Sequence, residues 1–78
     1  MKRERKSEIP EVVKDLGIKI KDIIEEKKFK RREVAHDAEM DVESLRKYIK
    51  GSQEMKIGTL FKIAQALKVH PSELIKDL

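Results

Sequence analysis

Apolar residues recur at spacings of three and four from Val13 through Leu16, Ile20, Ile23 and Ile24, which puts one stripe on one face of a helix. Pro10 suits a first helical turn, so the first helix is expected from near Ile9-Pro10 to about Lys27. A second stripe, Val34, Ala35 and Ala38, predicts a short helix from about Arg31 to Glu39. Asp41 then reads as the N-cap of a third helix carrying Leu45, Tyr48 and Ile49, with Lys50-Gly51 as its C-terminal end. Leu60, Phe61, Ile63, Ala64 and Leu67 define a fourth helix. His70-Pro71-Ser72-Glu73 opens a fifth that leads into Leu74, Ile75 and Leu78. The expected fold class is all-α, five short helices in an orthogonal bundle.

Length narrows this picture to one domain. A chain of 78 residues and 9.1 kDa has room for one small core and excludes a large multi-domain enzyme. Charged residues make up 44% and hydrophobic ones 38%, so the core is thin and the surface heavily solvated. With no Cys, neither disulfides nor thiolate metal sites hold the fold together. No apolar run approaches the roughly 18 residues that span a bilayer, and a soluble, cytoplasmic protein without membrane contact is expected. Residues 1–8 hold four basic and two acidic side chains and nothing to bury; they read as a flexible basic arm ahead of a domain at 9–78.

The stretch from Arg31 to Lys50 carries the functional signal. Its apolar positions 34, 35, 38, 40, 45, 48 and 49 require two short helices to pack at a steep angle on either side of Met40, with small Ala35 at their approach. That is the geometry of a helix-turn-helix, whose second helix enters the major groove of DNA. Together with Leu16-Gly17, Ile20-Lys21-Asp22-Ile23, Glu33-Val34-Ala35, Ser44-Leu45 through Lys50-Gly51 and Thr59-Leu60-Phe61-Lys62-Ile63-Ala64-Gln65-Ala66-Leu67-Lys68-Val69, it resembles the Cro and phage-repressor type (XRE family) of DNA-binding domain over about residues 16–76. The resemblance implies a five-helix, lambda-repressor-like fold.

Three departures from the family pattern have physical consequences. Lys30 and Arg31 stand where a Ser or Thr cap and a DNA-contacting Gln are usual; cations there oppose the helix macrodipole at about 0.3–1 kcal/mol, unless a phosphate docks. Glu39 replaces a turn Gly, which costs about 1–2 kcal/mol in a left-handed conformation, so a slightly different turn is expected. Ile24 and Ile49 replace an Arg–Glu pair found in some phage repressors. An apolar pair substitutes well for a buried ion pair, and the contact between the first and third helices is expected to survive.

The formal net charge of +4 is unevenly distributed. Five of the six residues 27–32 are basic, residues 33–43 hold five acids and no Lys or Arg, and residues 44–50 hold three bases and no acid. In a helix-turn-helix the two basic blocks lie over opposite phosphate strands, which makes Lys28, Lys30, Arg31 and Lys50 the phosphate candidates. About four contacts would give a log–log salt slope of roughly −0.9 each; the plain alternative is a solvated charge run. Val42, Glu43, Ser44, Arg46 and Lys47 occupy the first turns of the reading helix. Arg46 or Lys47 suits guanine O6 and N7, Glu43 cytosine N4, and Val42 a thymine methyl. By the resemblance, Val42, Glu43 and Lys47 match base-reading positions. Glu43 is equally a first-turn acid favoured by the helix dipole, and Asp41 reads as a cap.

Other chemistry is not indicated. His36 and His70 lack partner ligands at metal spacing, and Ser44, His36 and Asp37 form no nucleophile constellation. Phe29, Tyr48 and Phe61 read as core residues and are too few for a single-strand stacking platform. Neither a metal, a cofactor nor an enzymatic activity is expected. The reading that follows is a small bacterial or phage-type transcriptional regulator binding double-stranded DNA as a homodimer, with Ile75 and Leu78 as possible dimer contacts and Leu74 closing the core. Its rival is an antitoxin-like module that keeps the fold and binds a protein partner, suggested by the acids at 37, 39, 41 and 43.

Overall fold

The computed structural model describes residues 9–78, so the expected N-terminal arm at 1–8 lies outside the described residues. Five helices follow in order: α1 (Glu11–Lys27), α2 (Arg31–Asp37), α3 (Val42–Lys50), α4 (Ile57–Leu67) and α5 (Pro71–Ile75). There is no strand among the described residues. The all-α expectation holds, with α2 ending two residues earlier than predicted and α4 beginning before Leu60.

One core joins all five helices. Ile20, Val34, Leu45, Ile63, Leu67 and Leu74 are its largest fully buried side chains, each stabilising the fold by about 1.5–3 kcal/mol relative to exposure. No buried residue of the core is polar or charged among those described, so the interior has no electrostatic debt to settle. Ile24 and Ile49 are both buried, on the two helices that pack most extensively against each other. Met40 and Met55 pack half-buried against the core. Phe61 departs from expectation: it is 55% exposed, because the buried face of α4 runs through Leu60, Ile63, Ala64 and Leu67 and leaves position 61 on the outside.

The first four helices end alike. After α1, α2, α3 and α4, respectively, Lys28, Glu39, Gly51 and Lys68 adopt left-handed conformations (φ 60°, 61°, 74° and 61°). In each case the next residue's N–H donates back five positions: Phe29 to Ile24, Met40 to Ala35, Ser52 to Lys47 and Val69 to Ala64, at 2.9–3.1 Å. These bonds satisfy carbonyls that a helix end would otherwise leave unpaired. Glu39 therefore takes the backbone shape that Gly would take, and the expected alteration of the turn does not occur. Its carboxylate lies 3.1 Å from Lys62 Nζ on α4, an exposed pair that offsets only part of the left-handed penalty.

Only Gly51 among the four ends is a glycine, and the packing explains why. It is buried, and a Cβ there would sit 2.7 Å from the Lys14 Cα on α1. Lys28, Glu39 and Lys68 are exposed and have room for a side chain. α5 begins with Pro71 at its first position, as read from the sequence. Its cap is unexpected: His70 Nδ1 accepts the Ser72 backbone N–H at 3.1 Å.

Candidate nucleic-acid interface

α3 is held in place from three sides. At its start, Asp41 Oδ1 accepts the Ser44 N–H at 2.9 Å, a side-chain cap that satisfies one of the free amides of the first turn. That backbone hydrogen bond, with help from the Ser44 side chain and the charge of Lys47, holds the Asp41 carboxyl below its ordinary range. At its end, Ser52 Oγ and the Ser52 N–H both donate to the Lys47 carbonyl. Beneath it, Gly17 brings the α1 backbone so near that an added Cβ would lie 2.4 Å from the Ile49 carbonyl oxygen.

This seating determines what α3 presents. Leu45 and Ile49 face the core, and Val42, Ser44 and Tyr48 are half-buried at its margins. Glu43, Arg46, Lys47 and Lys50 are exposed; their spacing of three, one and three places them on one stripe opposite the core. Of the five base-reading candidates, the structure brings Glu43, Arg46 and Lys47 together with the phosphate candidate Lys50. Ser44 and Val42 sit lower, and Val42 packs partly against the core.

A second feature adjoins the start of α3. Lys30, Arg31, Arg32, Glu33, Val42 and Arg46 line an open cleft of about 600 Å³ between the beginnings of α2 and α3. It gathers two of the phosphate candidates, Lys30 and Arg31, and adds Arg32 and Arg46. Lys28 lies at the end of α1 and Lys50 at the far end of α3, both exposed and outside the cleft. Arg32 was visible only as one member of the basic run, since its role as a cleft wall depends on the α2–α3 angle.

Lys27, the first cation of that run, is engaged elsewhere. Its Nζ donates to the carbonyls of Leu67 and Lys68 at 2.9 and 3.4 Å, supplying positive charge to the C-terminal end of α4. It also lies 5.9 Å from the centre of the Phe29 ring.

The acids of residues 33–43 are largely partnered within the fold. Asp41 caps α3, Glu39 meets Lys62, and Glu43 Oε2 lies 3.2 Å from Arg46 Nη1. Asp37 is 3.6 Å from His36 Nδ1. Nothing among the described residues groups three or more His, Asp or Glu in a metal-holding cluster. No described helix is long and apolar enough to cross a membrane.

The crystal structure of the restriction-modification controller protein C.AhdI from Aeromonas hydrophila is similar to this fold. It superposes with a TM-score of 0.76 and 22% identity, covering 82% of this chain and 91% of that one. No curated protein matches the chain. A family model for the Cro/C1-type helix-turn-helix DNA-binding domain matches residues 19–77, a span that contains the α2–turn–α3 unit, its Asp41 cap and the packing of α4 behind it. The chain thus belongs to the Cro/C1-type helix-turn-helix DNA-binding domain family.

Proposed function

We propose that the protein is a sequence-specific regulator of transcription that lays α3 in the major groove of double-stranded DNA. The observation that carries this reading is the exposed stripe of Glu43, Arg46, Lys47 and Lys50 beside a cleft walled by Lys30, Arg31 and Arg32. The stripe offers hydrogen-bonding groups to base edges. The cleft and Lys28 offer positive charge to one phosphate strand, and Lys50 approaches the other. A free acidic segment would repel that backbone, but three of its carboxylates already have partners in the fold, which weakens the case for a protein-interaction module.

A nine-residue α3 is about 14 Å long and reads only a few base pairs. Useful specificity therefore calls for a homodimer on half-sites about 34–36 Å apart. Ile75 and Leu78, 49% and 43% exposed, are the proposed contacts. Sedimentation of the wild type against a Leu78→Glu variant tests them: a dimer that persists unchanged in the variant removes Leu78 from the interface.

Fluorescence anisotropy with a random-sequence duplex at low and moderate salt tests the main reading. Micromolar binding with a steep salt slope is expected, and no binding at low salt refutes it. Arg31→Ala is expected to weaken all duplexes alike, and Lys47→Ala to change which sequences are preferred. Equal, negligible effects of the two would overturn the docking.

A further inference from the structure

The cations of α3 differ in one respect that bears on selectivity. Arg46 has two possible occupations, because it belongs to the exposed stripe and also lines the cleft with Lys30, Arg31 and Arg32. Unpaired, it would be a fourth positive charge on the cleft wall, which also carries one acid, Glu33. In the structure Arg46 lines the cleft while paired with Glu43, three residues earlier on the same helix, through Nη1 and Oε2 at 3.2 Å. The two side chains are 48% and 67% exposed.

We infer that Glu43 is a positioning residue that holds the Arg46 guanidinium at the α3 wall of the cleft and withholds it from phosphate, so that Arg46 reads guanine instead of adding to non-sequence-specific affinity. This rests on the DNA-binding reading above. The chemistry follows from the donor count of a guanidinium. Arg46 has five N–H donors in a planar fork, and the bond to Glu43 uses Nη1. The remaining edge can meet guanine O6 and N7 together while the carboxylate stays in place.

A phosphate makes a different demand. To take one in the cleft, Arg46 must give up one anion for another, and both exchanges occur at an exposed surface where ion pairs are weak. Little is gained, so random DNA does not draw Arg46 away. Guanine, being neutral, needs no such exchange. On this account Glu43 itself does not read cytosine.

The test is a double-mutant cycle of Glu43→Gln and Arg46→Ala, with anisotropy on a random-sequence duplex across a salt series and site selection from a random duplex pool. Circular dichroism of each variant checks that α3 is intact. Glu43→Gln is expected to tighten random-duplex binding several-fold and to steepen the salt slope by about 0.9, the mark of one more phosphate contact. In the Arg46→Ala background, Glu43→Gln should neither tighten random-duplex binding nor steepen its salt slope further. In site selection, both single variants should lose preference for the same guanine.

Three results overturn the inference while leaving DNA binding intact. One is an unchanged slope in Glu43→Gln. Another is equal tightening by Glu43→Gln with and without Arg46, which would make Glu43 a simple repeller of phosphate. The third is loss of a selected cytosine in Glu43→Gln with the guanine preference kept, which would make Glu43 the reader. Absence of wild-type binding to the random duplex at low salt would instead refute the DNA-binding reading, and this inference with it.

Discussion

The close approach of α1 to α3 at Gly17 gives the sharpest test of how α3 is seated. Replacing Gly17 by Ala adds one methyl group in the middle of α1. Helix propensity alone favours the change by about 0.8–1 kcal/mol. The structure opposes it, because the new Cβ would lie 2.4 Å from the Ile49 carbonyl oxygen and 2.6 Å from that of Tyr48. Both obstacles are backbone atoms of α3 and cannot rotate away. Ordinary contact requires α1 and α3 to separate by roughly 1 Å, which loosens the packing of Leu16, Ile20 and Ile24 against Leu45 and Ile49. Overpacking of this kind costs about 1–3 kcal/mol. Taking the upper end because the obstacle is rigid, and subtracting the propensity gain, gives a net loss of about 2 kcal/mol. For a domain of this size that lowers the melting temperature by roughly 8–16 °C. Gly58→Ala is the control. It is the same chemical change, but a Cβ there meets nothing within 4 Å; near the start of α4 it should stabilise by about 0.5 kcal/mol. Thermal unfolding followed by far-ultraviolet circular dichroism reads both. Stabilisation by Gly17→Ala, matching Gly58→Ala in sign, would refute the close-approach argument.

Lys68→Gly should stabilise the domain by about 0.5–1 kcal/mol, because Lys68 holds a left-handed φ of 61° that glycine adopts without a Cβ penalty; a lowered urea midpoint would contradict this. Lys27→Met should cost about 0.5–1.5 kcal/mol for the lost bonds to the α4 carbonyls, yet leave the DNA salt slope unchanged, whereas Arg31→Ala should make it shallower by about 0.9. Asp41 gives a pH test. Its folded-state pKa is depressed by the Ser44 N–H, so its contribution is present above the unfolded-state pKa and is lost as pH falls through the folded value. Denaturation midpoints of the wild type and Asp41→Asn should therefore converge on acidification below about pH 4; a constant difference between them would argue against the ionised cap.

The apolar stripes identified every helix because the core consists of them: Leu16, Ile20 and Ile24 on α1, Leu45 and Ile49 on α3, Ile63 and Leu67 on α4 are all buried. The helix ends were less legible. Gly51 signals one left-handed terminus and the family's turn Gly marks Glu39 as another, but Lys28 and Lys68 form the same motif with no such signal, since exposure makes a side chain tolerable there. Phe61 is exposed although it is large and apolar, because size and hydrophobicity say nothing about which side of a stripe a neighbouring position falls on. At the candidate interface, the order of charges marks both basic blocks, while the diversion of Lys27 to α4 depends on contacts 40 residues apart. The pairing of Glu43 with Arg46 was latent in their i, i+3 spacing; Arg46's second neighbourhood, the cleft, required the α2–α3 angle.

The division of labour around α3 has a consequence for what its exposed face can carry. Leu45 and Ile49, the Asp41 cap, Gly17 and Gly51 fix where the helix lies, and none of them belongs to the exposed stripe at 43, 46, 47 and 50. Substitutions on that stripe leave the buried contacts of Leu45 and Ile49 in place, while Lys47 and Lys50 also act on the helix ends, through the last turn of α3 and the charge that Lys47 brings to Asp41. The exposed stripe is thereby separable from the scaffold that holds it, and its side chains can be exchanged without rebuilding the core.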